Sequence, residues 1–114
     1  MPIANCFISL SQENKGSNSK DLIRFWVKHS GIQQAEPEMT VNIIFSNSQI
    51  GKCYAAMATL LLPSIWPKDD VSALQLGLAR ALAEYYSLPP EQVFITTSII
   101  DSGLVVENGL EVKW

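Results

Sequence analysis

The feature that most constrains this chain is an order of elements that occurs twice. Pro2 to Leu10 is an apolar strand pattern, with Ala4, Cys6, Ile8 and Leu10 alternating against Ile3 and Phe7. A polar stretch from Ser11 to Ser19 follows, with Asn18 or Ser19 placed to cap a helix. From Lys20 to about His29, Leu22, Ile23, Trp26 and Val27 have helical spacing, and Gly31 supplies the stop. Glu36-Pro37 breaks the chain, and Thr40 to Phe45 is a β-branched strand. The same order then returns. Ala55 to Leu62 is a strand, Asp69 or Asp70 caps a helix running to about Tyr86, and Val93 to Ile100 is a strand. The second helix carries a continuous stripe of Leu74, Leu78, Ala81, Leu82 and Tyr85. Val41 aligns with Val93, a period of 93 − 41 = 52 residues, and Pro37-Glu38 and Pro90-Glu91 stand just ahead of those strands. Each half is therefore a β-α-β unit.

An α+β fold follows: two β-α-β units forming a four-stranded mixed sheet, with both helices on one face. Asn108-Gly109, between Leu104-Val105-Val106 and Leu110-Glu111-Val112, adds a C-terminal β-hairpin, since Asn-Gly supplies the positive φ angles of a two-residue turn. With 114 residues the chain fits one domain, 1–114, with a pseudo-repeat of about 2–53 and 54–114. The second face of such a sheet has nothing from its own chain to cover it. Depending on register it should hold many of Ile3, Phe7, Ile44, Leu61, Phe94 and Ile100. Composition agrees: charged residues are 17% of the chain, against a usual share of about 25%. Mean hydropathy is +0.14, yet no apolar run approaches the ~20 residues of a membrane span. Burial against further copies of the chain, as a trimer of sheets, would account for both.

Net charge of −3 argues against a nucleic-acid partner, whose binding needs clustered cations. Cys6 and Cys53 form no disulfide framework and have no metal-ligand spacing, and one histidine completes no zinc site, so neither metal nor cofactor is expected. The N-terminus lacks a basic region followed by an apolar one, which makes a cytoplasmic location the expectation.

The opening MPIA and the DLIR of Asp21 to Arg24 resemble the 4-oxalocrotonate tautomerase branch of the tautomerase superfamily. Tyr54 to Ile95, including the PPEQVFI of Pro89 to Ile95, is similar to the macrophage migration inhibitory factor branch. The resemblance implies a homotrimer and an N-terminal proline that acts as a base. Once Met1 is removed, Pro2 becomes a secondary amine. Desolvation or a nearby cation would keep such an amine neutral near pH 7, able to move a proton between carbon and oxygen of a keto–enol pair. The arginines that hold substrate carboxylates in the first branch fall at Ser11 or Gln12 and at Asn42, and the second branch's assisting lysine falls at Ile32 or Gln33. Its tyrosine and asparagine on the last core strand fall at Phe94 and Thr96. Pro2 alone is kept, so a small, relatively apolar α-keto acid or enol is the expected substrate. Phe94, Thr96 and either Trp114 or Trp66 would line the pocket. Lys52 is the cation placed to reach Pro2 across a subunit boundary. The competing expectations are a non-catalytic trimeric binding module of the same fold and an unrelated, monomeric two-layer domain. His29 reads as a helix C-terminal charge, and Cys6 and Cys53 as small packing residues.

Overall fold

The computed structural model describes residues 1–13 and 19–114. Strand β1 (Ile3–Ser9) ends in a 3₁₀ turn at Leu10–Gln12, and helix α1 (Ser19–Ser30) follows. A 3₁₀ segment at Gln33–Glu38 leads into β2 (Thr40–Ser46). The second unit comprises β3 (Ala56–Pro63), α2 (Lys68–Tyr86), a 3₁₀ turn at Pro90–Gln92 and β4 (Val93–Ile100). The chain closes with a hairpin of β5 (Val105–Glu107) and β6 (Leu110–Val112). Sheet order is β2-β1-β3-β4, parallel within each unit and antiparallel between β1 and β3. Cys6 faces Ala58 across that central pair, and the two positions are 52 residues apart in sequence. A pseudo-twofold axis relating the units therefore passes between them.

Alternation along the strands settles which face is covered. Ala4, Cys6 and Ile8 of β1 and Ala56, Ala58, Leu60 and Leu62 of β3 are buried beneath the helices. The register brings Ile3, Phe7, Ile44, Leu61, Phe94 and Ile100 onto the opposite face, as expected from the sequence. There Phe7 on the central strand β1 and Ile44 on the edge strand β2 stay 46% and 45% exposed, a large apolar exposure. Asn42 donates to Asn5 on this face at 2.8 Å.

The helices pack through Leu22 and Trp26 of α1 and Leu74, Leu78, Ala81 and Leu82 of α2. Trp26 donates from Nε1 to the Leu74 carbonyl at 2.9 Å, which satisfies the indole's one polar group inside the core. Gly77 lies against the backbone of Ser30, where no side chain fits. Gly31 (φ +72°) ends α1, its N–H bonded to the Val27 carbonyl at 2.8 Å. Ser87 ends α2 in the left-handed region, and Leu88 N–H reaches the Ala83 carbonyl at 2.8 Å. Asn108 and Gly109 both have positive φ, as a type I′ hairpin turn requires.

Three local expectations change. Neither Asp69 nor Asp70 caps α2: Pro67 occupies the N-cap, no side chain bonds the free N–H groups, and the two aspartates sit in the first turn. Their charge still complements the helix dipole there. Of the two residues expected to cap α1, Ser19 already lies in the helix, and Asn18 lies outside the described residues. Tyr86, more than Tyr85, is the aromatic that α2 buries.

Candidate functional site

Pro2 precedes β1 on the helix-covered side, in alternation with Ala4, and its side chain is fully buried. Its carbonyl accepts the Thr40 N–H at 3.0 Å, which fixes the residue at the start of the β1–β2 ladder. The Met1 ammonium lies 3.6 Å from Glu38 Oε2. A cavity of about 490 Å³ opens at this end of the sheet, lined by Met1, Ile3, Glu38, Thr40, Val106 and Glu107 among others. Among the described residues its ionisable side chains are two carboxylates, Glu38 and Glu107, with no lysine or arginine. Pro37-Glu38 stands one residue ahead of β2 in the sequence, and parallel pairing of β2 with β1 carries that dipeptide to the head of β1. Glu107 arrives from the hairpin, which no local pattern ties to Pro2.

Phe94 and Thr96 occupy a different place. Together with Phe7, Met57, Thr59 and Gln49 they line an apolar cavity of about 310 Å³ on the open sheet face. The register puts Ser98, not Phe94, level with Ile3. Phe94 is four residues further along β4, about 13 Å, and two strand spacings, about 10 Å, across from β1. Lys52 lies in the loop before β3, its ammonium 5.6 Å from the Tyr54 ring centroid. Tyr54 in turn meets the Phe94 ring at 5.0 Å. Within one chain, then, Phe94 and Thr96 are together and Lys52 is one ring removed, while Pro2 lies at the other end of the sheet.

The remaining candidates have structural surroundings. Trp114 donates from Nε1 to Ser64 Oγ at 2.9 Å, and Trp66 packs on the edge of the core; neither lines the cavity at Phe94. Asn42 spends its amide on Asn5, and Ile32 is buried. Burial pushes the Cys6 thiol up to about 12, so it is no nucleophile near neutral pH. His29 Nε2 sits 3.7 Å from Glu84, whose carboxyl is held below the usual range chiefly by its hydrogen bond from Lys28. Among the described residues no cluster of three or more His, Cys, Asp or Glu could hold a metal ion. No helix among them is long and apolar enough to cross a membrane.

Among solved structures the chain is similar to N1, a member of the cis-3-chloroacrylic acid dehalogenase family, with a TM-score of 0.75 at 13% identity over 96% of this chain and 82% of that one. A fused 4-OT that forms a symmetric trimer gives the same TM-score and identity, covering 96% of this chain and 94% of that one. The macrophage migration inhibitory factor of Oncomelania hupensis gives 0.69 at 15% identity, covering 98% and 82%. The chain has the tautomerase-superfamily fold. That fold accounts for the two β-α-β units, the helices on one face and the C-terminal hairpin. No family model matches the sequence. Among curated proteins it is 28% identical over 78 residues to the anhydro-N-acetylmuramic acid kinase of Gloeothece citriformis, which is 68% of this chain. The chain spans about a fifth of that protein's length, 19%.

Proposed function

We propose that this chain is a homotrimeric tautomerase in which Pro2, freed of Met1, is the general base for keto–enol tautomerisation of a small, relatively apolar α-keto acid or enol. One observation carries the reading: Pro2 is fully buried at the head of β1 with its carbonyl tied to Thr40, and the residues on either side of it, Met1 and Ile3, line an open cavity. An amine formed there is held in place on both sides, by the ring in the core and by the strand ladder. It takes a proton from the carbon next to the substrate carbonyl and returns it at oxygen, or the reverse, with no net change in atoms. With no lysine or arginine among the described residues lining the cavity, a dicarboxylate would lose its hydration uncompensated, which favours a substrate with little charge.

The trimer is supported by the fused 4-OT similarity and by the uncovered sheet face with Phe7, Ile44 and Phe94. The separation of Pro2 from Phe94 and Thr96 within the chain means that a site using all three draws the latter two from a neighbouring copy. Unpaired Cys6 and Cys53 fit a cytoplasmic protein. The test is solvent-deuterium exchange at the α-carbon of phenylpyruvate, on protein shown by mass spectrometry to begin at Pro2. Retaining Met1, or making Pro2→Ala, should lower the rate by about 10²-fold or more. Equal rates in all three forms would refute the base.

A second reading has its own support. Glu38 and Glu107 are the ionisable side chains among the described residues lining this cavity, a lining that offers no cation to keep an amine neutral, and a protonated proline is not a base. A non-catalytic trimeric binding module is the outcome if Pro2→Ala leaves both the exchange rate and the trimer, measured by light scattering, unchanged.

A further inference from the structure

At the far end of β1 from Pro2, about 20 Å along the strand, a second polar concavity of about 340 Å³ is built from four separate segments. Ser9, Ser11 and Gln12 form one wall, Asn47 and Gln49 the second, and Gln92 the third. Cys53, Tyr54 and Ala55 complete it. Among the described residues no carboxylate, ammonium or guanidinium lines it, which sets it apart from the cavity lined by Glu38 and Glu107.

Much of this lining is already fixed. Gln49 donates from Nε2 to the Tyr54 carbonyl at 2.7 Å and accepts the Tyr54 N–H on Oε1 at 2.9 Å, which clamps the loop before β3. Gln92 Oε1 accepts the Ala55 N–H at 3.2 Å, leaving its amide nitrogen free to donate. The hydroxyls of Ser9 and Ser11 lie 3.0 Å apart, and Gln12 donates from Nε2 to Ser11 at 3.4 Å. One group is left over. Gln12 Oε1 is buried without a hydrogen-bond partner among the described residues. A buried acceptor left unpaired costs about 1–3 kcal/mol, and a ligand that donates to it recovers that cost.

We propose that this concavity is a binding site for a small, neutral polyhydroxylated molecule of monosaccharide size. Carboxamides and hydroxyls offer donors and acceptors side by side, and each sugar hydroxyl is itself both. A charged ligand would meet no counter-charge among the described lining residues and would lose its hydration uncompensated. The volume lies at the small end of the range for ligand pockets, which admits one ring and not a chain of them. Clamped side chains mean little ordering remains to oppose binding. Neither Pro2 nor Met1 lines this concavity, so sugar binding there is read separately from the exchange rate that tests the tautomerase reading.

The experiment is NMR titration of the full chain with glucose and with N-acetylglucosamine, against glucuronate and glucosamine as charged controls. A neutral sugar should shift the signals of Gln12, Asn47 and Gln92, and the charged analogues should bind more weakly there. Gln12→Ala should weaken binding by about tenfold, the equivalent of one to two hydrogen bonds. It should leave the melting temperature unchanged or raised, because it deletes an unpaired buried acceptor; a purely structural Gln12 would lower it. Should Gln12→Ala lose stability, exposed Asn47→Ala decides the matter by the same loss of affinity. The proposal is overturned if neither neutral sugar shifts those signals, if glucuronate or glucosamine binds there as well as glucose, or if neither substitution alters the affinity.

Discussion

Replacing Gly77 by alanine sets helix propensity against packing, and the structure says which wins. Alanine in a helix interior is favoured over glycine by about 1 kcal/mol. At an exposed position that gain would be realised. At Gly77 a Cβ would lie 2.7 Å from Ser30 N and 2.8 Å from both Ser30 Cα and Cβ. The obstacle is not the tip of a flexible side chain. Ser30 is the last residue of α1, and its hydroxyl bonds the Val27 carbonyl at 3.3 Å and accepts the Ile32 N–H at 3.2 Å. Relief therefore requires α1 to move away from α2 by a sizeable fraction of an ångström. The Trp26–Leu74 bond at 2.9 Å spans that same interface and lengthens with it. Overpacking costs about 1–3 kcal/mol, and the weakened indole bond adds about 0.5–1.5. Set against the propensity gain, the net is destabilisation by ~2 kcal/mol. At about 2.1 cal/mol/K of unfolding entropy per residue, this lowers the melting temperature by roughly 8 °C. Calorimetry and urea unfolding, both at matched protomer concentration, measure it; exposed Ser72→Ala on the same helix serves as the propensity control. A Gly77→Ala midpoint equal to or above wild type would refute the close approach and with it the helix packing described above.

The two thiols should separate cleanly. Cys53 is exposed and Cys6 is buried, with its thiol pushed up to about 12, so the native protein should react with one equivalent of a disulfide reagent and the denatured protein with two; two fast equivalents in the native state would contradict the burial of β1. Tyr86 is also pushed up to about 12, first by desolvation and then by Tyr85 and Cys6. Both groups are raised above their unfolded values of 10.0 and 9.0, so their contribution is intact below pH 9 and is lost as pH climbs towards 12. Alkaline unfolding followed by circular dichroism should therefore begin above pH 9, and Tyr86→Phe should flatten its upper part; an unchanged profile would place the cause elsewhere.

The faces of the sheet were legible because strand alternation has a period of two, and a slip of one residue would exchange the covered set for the open one. Ala4, Cys6 and Ile8 could not go beneath the helices without Ile3 and Phe7 going to the other side. Local chemistry likewise announced the Asn108-Gly109 turn and the stop at Gly31. The start of α2 was not legible, since two aspartates resemble caps whether or not the preceding Pro67 takes that position. Both polar cavities escaped for a different reason. Ser9, Asn47 and Gln92 share no periodicity, and Glu107 joins Glu38 only through the hairpin. Residues that meet only in the tertiary structure leave no mark on a local pattern.

The open face is not uniformly apolar, and its banding bears on how it can be covered. Ile44, Phe7, Met57 and Phe94 form one row across the four strands. The adjacent row is Asn42, Asn5, Thr59 and Thr96. A wholly apolar face would accept a second sheet at several offsets, because hydrophobic contact has no direction. Here a covering copy displaced by two residues would lay its aromatic row over amides and hydroxyls, removing them from water without partners. The Asn42–Asn5 bond at 2.8 Å already satisfies part of the polar row, which lowers the cost of burying it in register and leaves the penalty for misalignment in place. The apolar band thus supplies the drive to associate and the polar band selects one alignment, a division suited to the closed trimer proposed above and not to open-ended stacking of sheets.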